Sequence, residues 1–439
     1  MPYTRVLGPS ALCQTTPDPV DFGVLFSVLR HRDFKHLWLG QAISQLGDSL
    51  YFLVFLFMVK RLGGSDAMVG IVGALQALPY VVVGPFAGML ADRLDRRLIM
   101  VMSDVLSTAI LGFLAVLLFF DSTPHVAWVM VSGFLLSCVN SVFVPAKSAA
   151  LPRLIPAEDL QEANALSMAT QNFAPLIGIG LNLGVLSTLE AIAPDYFFLV
   201  AVVLNMVTFC VSASYLARLP KLLPERGEED HQHPIQDLKD GFRMAWSEPV
   251  IRTALWAGAG VSFCVAPFMI IHLRVNEEWY GGKFWTLSLF EGAFVLSMVI
   301  TSLALGKVKI LHPGRAYLLG MTIIAIFVAA MAASRNIWLY TLWNFVCGLG
   351  LPLASIPITY YIQVATPDAF RGRVMSLFGM VSQAVAPIGM LIGGWLLSQV
   401  GPAPMFLFMG GGMGVMCLLL LASRPFLAAR QPEPESKTP

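Results

Sequence analysis

Two acidic residues lie in the middle of long apolar segments, and they are the residues of this chain best suited to chemistry. Asp48 ends the polar stretch 41–48, and Glu291 lies within 289–292. A carboxylate in hydrocarbon is costly, so such a residue faces a water-filled cavity, pairs with a partner or takes up a proton. Each acid is therefore a candidate for binding a proton or a cationic solute.

Two glutamines extend the polar surface beside Asp48. Gln41, Gln45 and Asp48 follow one another at helical spacing, which places them on one face of a helix. This polar stripe favours a water-facing position for Asp48. The alternative for both Asp48 and Glu291 is a structural acid, protonated or hydrogen-bonded, at an interface between helices. The nearest cation in the sequence pattern is Lys147, at a helix end.

Several amides also fall inside apolar segments. Each is a candidate for hydrogen bonding in a cavity, although many such residues simply bond across neighbouring helices. They are Gln76, Asn140, Asn172, Asn344, Gln363 and Gln383.

The composition indicates an all-α integral membrane protein. Hydrophobic residues make up 56% of the 439 residues and charged residues 13%, against about 25% charged in soluble domains. A net charge of +1 gives no electrostatic argument for nucleic acid as a partner. The six cysteines are scattered without metal-ligand spacing. No cofactor and no metal site are predicted, and no nucleophile or phosphate-loop motif indicates an enzyme.

A spanning helix needs about 20 mostly apolar residues, and by this criterion the sequence predicts twelve transmembrane helices. An even number places both termini on one side of the membrane. All but five of the 28 Lys and Arg residues fall on the side that carries the termini, so the positive-inside rule predicts cytoplasmic termini. The five exceptions are Lys60, Arg61, Arg274, Lys283 and Arg335.

One long hydrophilic stretch divides the chain into two halves of six spans. The halves echo each other, since the proline-containing pattern from Pro145 to Gly178 returns from Pro357 to Gly389. Facing repeats are a common way to build a binding site at the membrane midplane. The predicted organisation is a cytoplasmic tail (1–33), a six-helix bundle (34–218), a linker with an amphipathic surface helix (219–249), a second six-helix bundle (250–422) and a cytoplasmic tail (423–439).

A charged turn between the second and third spans carries a family resemblance. Its pattern, Gly88-x-x-x-Asp92-Arg93-x-x-Arg96-Arg97, resembles the loop at this place in major facilitator superfamily transporters. The stretches 34–41 and 371–374 resemble the bacterial macrolide-efflux and enterobactin-exporter branch of that superfamily. The resemblance covers nearly the whole chain and implies the major facilitator fold, with two pseudo-symmetric six-helix bundles.

The resemblance also implies a role for the charged turn. In the family, its acid and arginines latch the cytoplasmic side to the start of the eleventh helix when the carrier faces outward. The alternative is that the arginines only set the topology. The latch here would comprise Gly88, Asp92, Arg93, Arg96 and Arg97, with Asp104 as a buried partner of the arginines, and Arg371, Gly372 and Arg373 on the other side.

The fifth span resembles a second family motif, the G-P-x-x-G-G kink of antiporters. Its counterpart here is Ala174-Pro175-x-x-Gly178-x-Gly180. Ala174 replaces the leading glycine, and Ile179 separates the trailing pair. Export is therefore indicated rather than shown, and a packing role for the proline and glycines is the alternative.

Together the resemblance implies a secondary active transporter of the bacterial inner membrane. Its expected partners are a small-molecule substrate, protons and membrane lipid, and a monomer is expected. The predicted activity is proton-coupled export of amphipathic organic molecules, drug or macrolide-like, by alternating access. The alternatives are export or facilitated diffusion of a siderophore, a lipid or another metabolite, and, more distantly, a non-transporting membrane scaffold.

Overall fold

A computed structural model of the chain describes residues 27–83, 90, 94–223, 234–306, 308 and 310–431. Regular structure in these ranges is helical. The first half of the molecule consists of α1 (Arg32–Arg61), α2 (Asp66–Val82), α3 (Arg96–Phe120), α4 (Val126–Leu154), α5 (Leu160–Leu181) and α6 (Pro194–Leu216). A π-helical turn, Asn182–Leu186, and a short helix, Ser187–Ile192, extend α5.

The second half follows a linker helix, α7 (Pro234–Ser247). Its members are α8 (Pro249–Val265), α9 (Phe268–Tyr280), α10 (Phe284–Leu305), α11 (Pro313–Met331), α12 (Ile337–Ala365), α13 (Asp368–Val400), α14 (Pro402–Ala422) and the short α15 (Arg424–Ala428). The proximal face is the side where α1 begins and α14 ends. The distal face is the side where α1 ends and α2 begins.

The lengths and apolar compositions of these helices fit a membrane protein. Eleven helices in the described ranges are long and apolar enough to span a bilayer, with α8 and α9 counted as one. The remaining helix, α2, has 17 residues and stops shortly before residues 84–89, which lie outside the described ranges. The predicted all-α fold with twelve transmembrane helices is confirmed.

Polar side chains set the starts of several helices. The Ser65 side chain accepts a hydrogen bond from the Met68 backbone N–H at 3.2 Å, which begins α2. Asp95 caps α3 through the N–H of Arg97, at 3.0 Å. Such bonds satisfy donors that have no partner inside the helix, so they fix where each span starts.

A proline divides the seventh span into α8 and α9. Pro267 supplies no backbone donor and its ring disturbs the preceding turn, so the helix is interrupted there and begins again at Phe268. The resulting half-helix α9 has 13 residues and ends at Gly281, which adopts a left-handed conformation with φ of 82°. A separate short helix thus faces the distal side.

Outside the spans, the start of α1 is bound to the turn before α5. The Asp159 carboxylate lies 2.6 Å from His31 Nε2 and 2.8 Å from Arg30 Nη2. These hydrogen bonds, first from His31 and then from Arg30, hold the pKa of the Asp159 carboxyl below its usual range. Because the folded-state value is lowered, the contact stabilises the fold above the ordinary carboxyl pKa. That contribution is lost as the pH falls through the lowered value.

The linker helix α7 packs along the proximal end of α13. A Cβ atom on Gly241 would stand 3.0 Å from the Arg373 Cβ, so the absence of a side chain permits this approach. Phe242 and Trp246 stack with ring centroids 5.1 Å apart, and the ring centroids of Trp246 and Trp256 of α8 are 6.1 Å apart. The helix predicted in the linker is present, and its aromatic residues lie beside the first span of the second half.

Close helix crossings generate a first prediction, at Gly350. A Cβ atom added there would lie 2.5 Å from the Gly320 carbonyl oxygen and 2.8 Å from Ile324 Cγ1, so α11 and α12 would have to separate. We expect Gly350→Ala to lower the free energy of unfolding by about 1–3 kcal/mol, the usual cost of overpacking. The measurement is thermal unfolding of the purified protein in detergent.

The matched control is Gly411→Ala in α14, where nothing described lies within 4 Å of an added Cβ. Alanine favours a helix over glycine by about 1 kcal/mol, so this variant should unfold at the wild-type temperature or slightly above. Equal unfolding temperatures for the two variants would contradict the crossing described here.

Candidate functional site

A cavity of about 780 Å³ lies inside the first half, bordered by α1 to α6 and by part of α13. Its lining runs from Asp48 and Tyr51, near the middle of α1, to Leu151 and Asn164 near the proximal ends of α4 and α5. The second half contributes Ala386, Pro387 and Met390. The cavity is therefore a proximal chamber, with walls built mostly by the first half.

Asp48 lies deep in the bundle with its side chain open to this chamber. One carboxylate oxygen accepts a hydrogen bond from Asn205 Nδ2 of α6 at 3.4 Å, and Asn205 is itself held by Thr208 at 3.1 Å. Gly47 has no side chain at the point where α1 meets these two residues, which allows the close approach. The other carboxylate oxygen of Asp48 can bind a proton or a cation.

Asp104 also lines the chamber, on α3. Its side chain is only 2% exposed, and its Oδ2 has no hydrogen-bond partner among the described residues. The sequence prediction paired Asp104 with the arginines of the charged turn. The structure places Asp104 on the chamber wall with Ser103 and Ser107. Its pairing with the arginines stays a prediction, since Arg93 lies outside the described ranges.

Lys147 adds a positive charge to the lining on α4. The charged groups of the described lining are thus two carboxylates and one ammonium. Gln41 and Gln45 lie on the same wall as Asp48, as their spacing predicted. A chamber with this charge pattern can accommodate a solute that combines apolar surface with polar or cationic groups.

The amide candidates divide into two groups. Gln76 and Asn140 line the chamber, and Asn140 Nδ2 donates to the Tyr80 hydroxyl at 2.9 Å. Asn172, Asn344 and Gln363 lie elsewhere, because their helix faces turn away from the chamber. Asn344 is buried in the second half, and Asn172 and Gln363 are exposed. The side chain of Gln383 lies outside the described part of the structure.

The predicted latch falls partly on residues that the structure does not describe, since Gly88, Asp92 and Arg93 lie outside the described ranges. The flanking Arg96 is buried and donates to the Ala149 carbonyl oxygen at 2.9 Å, and Arg97 donates to that of Ala217.

On the α13 side of the predicted latch, Arg371 Nε donates to the Gln363 carbonyl oxygen at 2.7 Å. Gly372 is exposed next to it, and Arg373 packs against α7. The latch itself stays a prediction.

The segment of α5 that holds the kink residues packs against both halves. Ala174 lines the chamber beside Pro175, and Gly178 packs against Ser49 of α1. Gly180 has open space around it among the described residues. Gly292 of α10 supplies the close contact with α5, since its Cβ position lies 3.0 Å from Ile179. Packing of α5 on the first and eighth spans is therefore a visible role of this segment.

Glu291 has a partner that the sequence interpretation missed. Its Oε1 lies 2.9 Å from Nδ1 of His272, which is fully buried on α9. The imidazole is surrounded by aromatic rings, with centroid distances of 4.3 Å to Phe268 and 5.8 Å to Tyr340. The sequence shows no obvious Lys or Arg partner for Glu291 at membrane depth, but a histidine there is also rare and is the signal that points to His272.

The distal face is closed by an ion-pair cluster that joins the two halves. Lys60 Nζ lies 2.7 Å from Asp66 Oδ1 and 3.2 Å from Glu277 Oε2, and Arg274 Nη1 lies 3.4 Å from Asp66 Oδ2. Asp66 is nearly fully buried between the two cations. We call Lys60, Asp66, Arg274 and Glu277 the distal gate. The sequence indicated the positions of these charges but not their pairing.

Apolar packing continues the closure below the distal gate. A Cβ atom on Gly394 of α13 would lie 3.1 Å from the Gly70 Cα of α2, so these two helices touch through glycine. The ring centroids of Phe57 and Phe284 are 5.3 Å apart across the two halves. The two halves are therefore in contact across the distal part of their interface, while the chamber occupies the proximal part.

The sequence of the chain matches a known protein family and several of its members. The family model of the Major Facilitator Superfamily matches residues 37–307 and 285–439. Macrolide efflux protein A of Streptococcus pyogenes is 24% identical over 394 residues, covering 88% of this chain and 94% of that protein. The enterobactin exporter EntS of Shigella boydii is 24% identical over 405 residues, covering 89% and 91%.

Solved structures give the same fold. A bacterial homolog of the human lysosomal transporter Spinster, in an inward-facing and unoccupied conformation, superposes with a TM-score of 0.68 at 14% identity. The superposition covers 92% of this chain and 99% of that one. The nucleoside transporter NupG gives a TM-score of 0.66 at 12% identity, covering 88% and 98%. At these identities the likeness establishes the fold alone.

Proposed function

The chain belongs to the Major Facilitator Superfamily, and from this membership we propose that it is a proton-coupled exporter of amphipathic organic molecules that works by alternating access. The superfamily membership makes it a multi-pass membrane transporter, and the predicted likeness to the macrolide and enterobactin exporters is confirmed. The observation that carries the proposal is a chamber that contains Asp48 and reaches the proximal ends of α4 and α5, while the distal gate joins the two halves on the other side.

The proximal face is the cytoplasmic face in this proposal. The cations of the distal side are few, and most of those in the described ranges are engaged in ion pairs of the distal gate or its surroundings. Arg96, Arg97, Arg153 and Arg371 lie at proximal helix ends. That asymmetry favours cytoplasmic termini in a bacterial inner membrane. A monomer surrounded by lipid is sufficient, since one chain forms the whole chamber.

In the proposed cycle the protein alternates between a state with the distal face closed and a state with the proximal face closed. Outward opening requires the distal gate to separate and α2 to move away from α13. The predicted latch, Gly88 to Arg97 against Arg371–Arg373, would then close the cytoplasmic side. Small-residue contacts such as Gly70 with Gly394 suit this exchange, because they seal tightly but hold few interdigitating side chains.

The substrate class is proposed from the chamber and the relatives together. Aromatic, methionine and amide side chains share the lining with two carboxylates, which suits a large amphipathic molecule with polar groups. The names of the relatives include both a macrolide and a siderophore exporter. Export of a siderophore or another metabolite is therefore the second candidate, and the same chamber would serve it.

The second prediction tests coupling at Asp48. We expect Asp48→Asn to abolish pH-driven uptake of radiolabelled erythromycin or enterobactin into proteoliposomes that are acidic inside. A gradient of about one pH unit supports about tenfold accumulation when one proton exchanges for one neutral substrate. The variant should fall to the level seen in protein-free liposomes under the same gradient, because the amide cannot exchange a proton.

The matched control is Asp195→Asn, which neutralises an exposed acid at the distal start of α6, away from the chamber. It should transport like the wild type. Transport that ignores both the pH gradient and the Asp48 substitution would contradict the proposed mechanism.

The third prediction concerns the distal gate. Asp66→Asn leaves Lys60 and Arg274 facing each other without their shared carboxylate, so we expect the distal face to open more often. The distance between residues 122 and 338 reports this opening, since Ser122 and Trp338 are both exposed near the distal face, one on each half. It is measured by pulsed electron paramagnetic resonance between spin labels on cysteines introduced at the two positions, in a variant without native cysteines. The long-distance population should increase several-fold.

Glu278→Gln is the control for the gate, because Glu278 pairs with Arg274 along the same helix and does not bridge the halves. Its distance distribution should match the wild type. If Asp66→Asn also leaves the distribution unchanged, the gate does not hold the distal face closed.

A further inference from the structure

The linker helix α7 and the first span of the second half form an aromatic corner at the proximal face. Phe242 and Trp246 stack on one side of α7, and Trp246 meets Trp256 of α8 with ring centroids 6.1 Å apart. All three side chains are exposed, Trp256 at 62%. We call Phe242, Trp246 and Trp256 the proximal aromatic corner. The outer surfaces of its rings are open to the surroundings of the protein.

One face of α8 turns away from the rest of the bundle. Arg252, Trp256 and Phe263 are exposed, and at about 100° per residue they fall within about 40° of one another around the helix. None of the three lines the chamber. The other sides of α8 hold its buried residues, which are Val250, Ile251, Ala254, Leu255 and Ala257. Since α8 is part of a membrane span, its outward face contacts lipid.

The order of these side chains along α8 matches the order of groups in a phospholipid. The helix begins at Pro249 on the proximal face. At about 1.5 Å per residue, Arg252 lies about 5 Å, Trp256 about 10 Å and Phe263 about 20 Å along it. Positive charge therefore comes at the level of the headgroups, and an indole follows where tryptophan is enriched in membrane proteins. The phenyl ring lies deeper, among the acyl chains.

The polar end of the corner is positively charged. Arg252 of α8 and Arg243 of α7 are exposed, and neither forms an ion pair or a side-chain hydrogen bond with a described residue. Glu248, at the connection between the two helices, is thus paired with neither of them. A guanidinium can bind a phosphate through two parallel hydrogen bonds, and basic residues at a membrane surface attract anionic lipid. The charge of the corner therefore favours an anionic headgroup over a zwitterionic one.

We propose that the proximal aromatic corner, together with Arg243 and Arg252, is a binding site for one anionic phospholipid. The lipid phosphate contacts the two guanidinium groups, and the glycerol region lies against the rings of Trp246 and Trp256. One acyl chain follows the outer face of α8 to Phe263. The site lies outside the chamber, and it does not depend on proton-coupled export.

The lipid in this site also fixes the position of α7. The other side of α7 packs on α13, since Ala245 is fully buried and the Gly241 Cβ position lies 3.0 Å from the Arg373 Cβ. The helix is thus held between the lipid and the start of α13. Because residues 371–373 belong to the predicted latch, the lipid stabilises the segment that the latch would use.

The fourth prediction tests the site by photo-crosslinking in vesicles of equal parts phosphatidylglycerol and phosphatidylcholine. A p-benzoylphenylalanine in place of Phe242 keeps an aromatic ring in the corner, and mass spectrometry identifies the lipids bound to it. Each basic residue near a membrane surface favours anionic lipid about fivefold. We therefore expect phosphatidylglycerol to exceed phosphatidylcholine at least about tenfold among the crosslinks. The same probe at Phe119, exposed near the distal end of α3, should reflect the composition of the vesicle.

Arginine variants show which side chains hold the headgroup. Arg243→Gln and Arg252→Gln should each lower the crosslinked ratio about fivefold, whereas Arg252→Lys should keep most of it because the charge remains. The matched control is Arg315→Gln, which removes an exposed arginine near the proximal start of α11 and should leave the ratio unchanged. Crosslinks to phosphatidylcholine that persist in every variant show that the protein is folded in the membrane.

Three results would overturn the inference. The first is the same ratio at residues 242 and 119, which means ordinary contact with surrounding lipid. The second is a ratio that neither glutamine variant lowers. The third is a crosslink to the protein's own chain instead of lipid, which means that another segment covers the corner. The measurement uses no substrate and no pH gradient, so its outcome is independent of the proposed function.

Discussion

The structure depends on one constraint, which is that a carboxylate at membrane depth must be hydrated, paired or protonated. Two acids at membrane depth and one at the distal face satisfy it in three different ways. Asp48 opens to the chamber and is held by one amide, Glu291 is bound to a histidine, and Asp66 lies between two cations. Each solution fixes a neighbouring helix, since the partner is on another element in every case. The placement of charge therefore organises the helix interfaces as well as the chemistry.

Small residues and helix interruptions make these placements compatible with tight packing. Glycines let α2 meet α13 and let α1 meet α6, so polar side chains at those crossings reach partners without a gap. The interruption at Pro267 produces a half-helix whose two sides contact different halves of the molecule. Their effect is to allow the halves to seal or separate without repacking large side chains.

The sequence was sufficient to predict the membrane spans and the acids inside them, because the length of an apolar segment and an isolated charge within it are local properties. It predicted the chamber position of Gln41, Gln45 and Asp48, since spacing on one helix defines a face. It did not predict that Glu291 meets His272, that Asp66 bridges two cations, or that Asp104 lines the chamber. Those contacts depend on how each helix rotates against its neighbours, which the spacing within one segment does not determine. Asn172 and Gln363 do not line the chamber, and their spacing alone could not show this for the same reason.

The distal gate combines ion pairs of different strength. The pair of Lys60 with Glu277 is partly exposed, and such pairs contribute about 0–1 kcal/mol each. The pair of Lys60 with Asp66 is nearly fully buried, and removing one partner of such a pair costs about 3–5 kcal/mol, because the other charge stays buried without compensation. Separation of the two halves would be different, since water would then reach both charges together. The buried pair can therefore fix how the halves meet and still separate when both partners become hydrated.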